Sequence, residues 1–258
     1  MVFPSSRKKI SFLFTLLTIQ RCLSSEISIR VGEQGWGKTD ASQMKSRLVA
    51  ITNVWKPSFP KREPVAIYVE HHAFDQPEII GAMVLYEKNS RGEYVVQLSV
   101  KDSQWEQMTY QFSHELCHIY SNFDVGTKGP TLWFDETICE VFSLVTLKHL
   151  GMQRYLDHVL KAPNRELPAG MTFKSWYLQN RPHLELNSVD RGRTAVVTNI
   201  LLTLVEGMPI TRWGALATLN LSNTTSNYSL PQRLENWLQR TTEHRSFIQD
   251  IRRMFDGT

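Results

Sequence analysis

Two histidines four residues apart, with a glutamate directly after the first, are the strongest local constraint in this chain: His114-Glu115-Leu116-Cys117-His118. On a helix the two histidines lie about 40° apart around the axis and about 6 Å apart along it, so both imidazoles can reach one point. Zn–N bonds of about 2.0–2.1 Å from rings on neighbouring turns need no backbone distortion. Glu115 then projects beside such an ion, where its carboxylate can take a proton from water. The residue frequencies of this chain predict only about 0.02 such patterns by chance. Two ordinary histidines on a helix surface are the alternative.

An ion that keeps one position open for water needs a third protein ligand. Glu136 is the leading candidate, because it follows His118 after 17 intervening residues, opens a predicted helix and lies in Trp133-Phe134-Asp135-Glu136. Glu140 comes one turn later on the same face.

The chain has 258 residues and is 41% hydrophobic, enough to bury a core. Residues 1–25 read as a secretory signal peptide: Arg7, Lys8 and Lys9, then an apolar run from Ile10 to Ile19, then a short polar stretch to Ser25. The run is short for a bilayer span, and an uncleaved N-terminal membrane anchor is the minority option. Those residues carry four bases and no acids, so removing them takes the formal charge from +4 to zero. With no basic excess and no basic run in the body, nucleic acid is excluded as a partner. The expected location is secreted or periplasmic. Beyond the leader, Cys117 and Cys139 read equally as a disulfide and as two buried thiols. Asn220, Asn223 and Asn227 open glycosylation sequons, which are common by chance.

The spacing of apolar residues gives a coarse map. Gly32 to Gly37 is a turn-rich opening, and Thr39 or Asp40 caps a helix over about Ala41 to Val54. Strands are expected at Val65 to Glu70, at Ala82 to Tyr86 and at Gly92 to Val100. His71 and His72 point to opposite sides of their strand and read as surface or pocket-rim residues. Asp102 or Ser103 caps a helix from about Gln104 to Tyr120, and a second helix runs from about Phe134 to Leu150. Residues 151–258 read as mostly helical, with apolar runs at Ala195 to Val205 and Leu234 to Phe255. The expected division is therefore a leader (1–25), a core with sheet, histidine helix and glutamate helix (26–150), and a helical C-terminal subdomain (151–258).

From about Ala41 to Glu206 the chain resembles the gluzincin metallopeptidases, in particular the small peptidase MA-like members. The resemblance rests on an opening helix, a strand pair with a Gly81-Ala82 step, His-Glu-Leu-Cys-His, and Trp133-Phe134-Asp135-Glu136, similar to the family's Trp-x-Asn-Glu. It implies a zincin-like α+β fold, with a small mixed sheet packed on the histidine helix. It further implies zinc held by His114, His118 and Glu136, Glu115 as catalytic base, and Glu140 as the acid that orients a zinc histidine. A peptide or protein is the implied substrate.

Two departures qualify that activity. Aminopeptidases of this clan carry Gly-Ala-Met-Glu-Asn to grip an amino terminus, whereas this chain has Gly81-Ala82-Met83-Val84-Leu85, so an endopeptidase is expected. A family Tyr-x-x-Gly supplies an oxyanion donor, and the matching segment is Val189-Asp190-Arg191-Gly192. Losing one such donor costs roughly 10²–10³ in rate. Tyr177, His183, Arg191 and Arg193 are possible substitutes. A catalytically inactive zincin-fold binding module is therefore the alternative. A metzincin-like site with Asp124 as third ligand is another, although Ser121 stands where that motif needs glycine.

Overall fold

A computed structural model of the chain describes residues 27–60, 64–73, 81–126, 129–161, 165–221 and 228–256. The leader expected at 1–25 lies outside the described residues. Among them, no helix is long and apolar enough to cross a membrane.

Runs of β-branched and aromatic residues build a four-stranded mixed sheet: β1 (Ile27–Val31), β2 (Val65–His71), β3 (Met83–Val84) and β4 (Tyr94–Leu98), in the order β1-β2-β4-β3. β1, β2 and β4 are mutually parallel and β3 closes one edge antiparallel to β4. Val65, Ile67 and Val69 alternate inward along β2, as period-two burial requires. β1 is not among the three strands expected, and β3 is shorter than Ala82 to Tyr86.

Between β1 and β2 runs α1 (Ala41–Trp55), capped by the Asp40 carboxylate, which accepts from Gln43 N–H. Met44, Leu48, Ile51 and Trp55 form its buried stripe. The histidine helix, α2 (Trp105–Tyr120), packs against β4 and β3. It starts without a side-chain cap, contrary to the expectation for Asp102 or Ser103. Asp102 is committed elsewhere: it sits at φ 55 and its carboxylate accepts from Lys38 N–H. Gly37, at φ 68, allows this, since a Cβ there would lie 2.3 Å from Asp102 Oδ1.

A single turn, α3 (Phe123–Gly126), precedes the glutamate helix, α4 (Leu132–His149). Then follow α5 (Gln153–Leu160), α6 (Phe173–Leu186), α7 (Arg191–Val205), a 3₁₀ segment (Ile210–Thr218), α8 (Leu230–Arg240) and α9 (Arg245–Asp256). The apolar run from Leu234 to Phe255 is thus two helices, parted near His244, whose φ is 59. Trp55 stacks on Phe142 with ring centres 3.5 Å apart, which locks α1 to α4. One hydrophobic core runs from Ile29 in β1 through Phe112, Phe134 and Leu201 to Phe255 in α9, without a break at residue 150.

Candidate metal centre

α2 and α4 lie side by side as a helical hairpin, and their facing residues form the site. His114 and His118 stand on adjacent turns with ring centres 4.9 Å apart. Both turn Nε2 toward Glu136 in the second turn of α4: His114 Nε2 is 3.2 Å from one carboxylate oxygen and His118 Nε2 is 3.5 Å from the other. Among the described residues these three are the cluster able to hold a metal ion, their ligating atoms all lying within 4.8 Å of one another. Two imidazoles and one carboxylate suit a borderline cation and leave a fourth position free. The Glu136 side chain remains 30% exposed, so the cluster has an open face.

The electrostatics favour positive charge at this point. Burial pulls the His114 pKa down, but the hydrogen bond to Glu136 and the charges of Glu115, Glu136 and Glu140 outweigh it and raise the pKa to about 9. Burial pushes Glu136 up, yet the neighbouring His118 and His114 bring it to about 2. A proton is held where an ion would be held by the same donors.

Glu115 is 4% exposed. Burial raises its pKa against the pull of the two histidines. One of its oxygens accepts from Val84 N–H of β3 at 2.8 Å. The edge strand therefore fixes the carboxylate beside the cluster, a contact that no side-chain pattern in the sequence announces. Met83, next to Val84, is 39% exposed on that edge.

Glu140 does not contact a histidine. Its oxygens accept from Tyr110 Oη and from Arg165 Nη2, the latter at 3.1 Å. Tyr110 lies one turn before His114 and Glu140 one turn after Glu136, so these residues form the next layer of the same helix seam. The charge of Glu140 reaches His114, but no hydrogen bond between them orients the ring. Cys139 occupies that place instead, with Sγ 3.5 Å from His118 Nδ1. Cys117 and Cys139 are both free, buried thiols in this structure. Burial pushes the Cys139 thiol well above its ordinary value.

Asp124, the alternative third ligand, accepts from Tyr94 Oη at 3.0 Å and is no part of the cluster. Two of the residues considered as oxyanion donors are engaged elsewhere. Tyr177 is buried against Phe255, with ring centres 4.9 Å apart, and Arg193 is bonded to Asp190 and Asn180. Val189 is exposed just before α7. His71 packs edge-on against Trp36 and His72 is exposed, both apart from the cluster.

The start of α4 is held from a distance. Asp135, beside Glu136, is fully buried and bonded by both Arg233 terminal nitrogens at 2.6 Å. Asn220 and Thr131 complete the set. Asn220 is completely buried in this network, its side-chain nitrogen donating to Asp135. No family model, curated protein or solved structure matches this chain.

Proposed function

We propose that the protein is a zinc-dependent metalloendopeptidase of gluzincin type with a zincin-like core, secreted or periplasmic once its leader is removed. The observation that carries this reading is the convergence of both histidine Nε2 atoms on Glu136, with the buried carboxylate of Glu115 one residue from His114. His114, His118 and Glu136 would hold the zinc. When bound, zinc supplies Lewis acidity toward a carbonyl and lowers the pKa of a water beside it.

The chain's own residues account for the remaining steps. Glu115, free of a cationic side-chain partner among its hydrogen bonds, accepts the proton of the attacking water and passes it to the leaving amine. A carboxyl whose pKa is raised by burial is suited to holding that proton for the interval between the two transfers. Its bond to Val84 N–H fixes one oxygen and leaves the other for this work. β3 lies at the sheet edge, beside which an extended peptide can run and bring its scissile bond to the cluster.

Zinc content and cleavage of casein or a peptide library, measured for wild type and Glu115→Gln, test the reading. We expect one zinc in each protein, cleavage by wild type, and loss of cleavage in the variant. Zinc without cleavage in either protein would sink the peptidase reading and leave the zincin-fold binding module. That second reading is favoured by the burial of Tyr177 among aromatic rings and by Val189 in the place of a donor tyrosine. Loss of zinc binding in Glu136→Ala is the separate check on the ligand set.

A further inference from the structure

We propose that Cys139 is a positioning residue for the metal centre: its Sγ accepts the Nδ1–H of His118 and so holds Nε2 aimed at Glu136. The inference rests on the metal reading above and refines it.

A histidine that gives its Nε2 lone pair to a cation carries its proton on Nδ1. In a buried site that N–H needs an acceptor, which is usually a carboxylate, a backbone carbonyl or water. His118 and Cys139 are 8% and 1% exposed, and the sulfur at 3.5 Å lies on the Nδ1 side of the ring. Glu140, the carboxylate that spacing offered for this duty, is occupied by Tyr110 and Arg165. Cys139 follows Glu136 by three residues on α4, so one helix supplies a ligand and also fixes the ring of another. A thiol sulfur is a weak acceptor compared with a carboxylate. It therefore sets the tautomer and the direction of the ring while adding little to the basicity of Nε2, and a metal held this way keeps more of its Lewis acidity.

The test uses the full chain as wild type, Cys139→Ala, Cys139→Ser and Cys117→Ala. Two quantities are read: the zinc dissociation constant, by competition with a chromophoric chelator, and the tautomer of His118, by ¹⁵N-detected NMR of the zinc-loaded protein. Wild type should carry the proton on Nδ1. Cys139→Ala should mix the tautomers and weaken zinc binding by about 10–100-fold. Cys139→Ser, which restores an acceptor, should keep the Nδ1–H tautomer and recover part of the affinity. Cys117→Ala, a buried thiol on the facing helix, should bind zinc as wild type does. The assignment fails if Cys139→Ala keeps wild-type affinity, or if Cys117→Ala loses as much as Cys139→Ala. Should Cys139→Ala not fold, a mixed tautomer in Cys139→Ser overturns the inference on its own. A wild type that takes up no zinc overturns both this inference and the proposed function, an outcome distinct from the others.

Discussion

Asp135 and Arg233 stand 98 residues apart in the chain, yet they decide how firmly Glu136 is presented. The Asp135 side chain is fully buried and that of Arg233 nearly so, with two nitrogen–oxygen contacts at 2.6 Å. Removing one partner leaves the other charge buried and unmatched, which costs about 3–5 kcal/mol. Asp135→Ala should therefore lower the urea midpoint by that free energy divided by the slope, with the slope itself unchanged. His114 and His118 were legible from helical spacing, and Glu136 from its place in Trp133-Phe134-Asp135-Glu136 together with the family resemblance of that segment. The partners of Cys139 and Glu140 were not. Which of two residues on α4 turns toward His118 depends on the rotation of one helix against the other, and that is set by packing across the core. Arg233 left no local signal, because its partner is supplied by a different part of the chain.

At the scale of elements, the sheet is braced on one face by a clamp over β2. Arg30 in β1 bonds Glu93 just before β4, and its guanidinium lies over the Tyr68 ring of β2, 3.8 Å from the centroid. The hydrogen bond to Arg30 brings the Glu93 pKa down to about 2. A carboxyl depressed in the folded state stabilises it above the unfolded value of about 4.3, and the contribution is lost as pH falls toward 2. Wild type should thus lose stability between about pH 5 and pH 2 more steeply than Glu93→Gln, read as thermal midpoint against pH. β2 and β4 were legible from alternation. β1 was not, because its five residues follow directly on the expected leader and its pairing with β2 spans the whole of α1. The missing cap of α2 has a similar cause: Asp102 has the right chemistry and position, but the turn at Gly37 claims its carboxylate first.

Among the described residues, one hydrophobic core joins the α2–α4 hairpin to the sheet and to the C-terminal helices. Phe255 of α9, near the end of the described chain, rests on Trp133, Phe134 and Tyr177, and Trp133 is one turn from Glu136. Phe255→Ala should cost about 3–5 kcal/mol, with circular dichroism and tryptophan fluorescence falling in a single coincident transition. Two separate transitions would indicate that the C-terminal helices fold apart from the sheet and the hairpin.

The histidine and the carboxylate that face each other across that hairpin are only 22 residues apart along the chain. Closing that loop costs a little less chain entropy than pairing the parallel strands, whose partners such as Ile67 and Tyr94 or Ile27 and Val65 lie further apart in the chain. With zinc as the ion, the hairpin would then be tied before the sheet is complete, and the metal would act on the rate of folding as well as on its endpoint. Refolding from urea should be faster with zinc than with chelator in wild type and in Glu115→Gln alike, with no such difference in Glu136→Ala. A metal that entered only after folding would instead slow unfolding and leave the refolding arm unmoved.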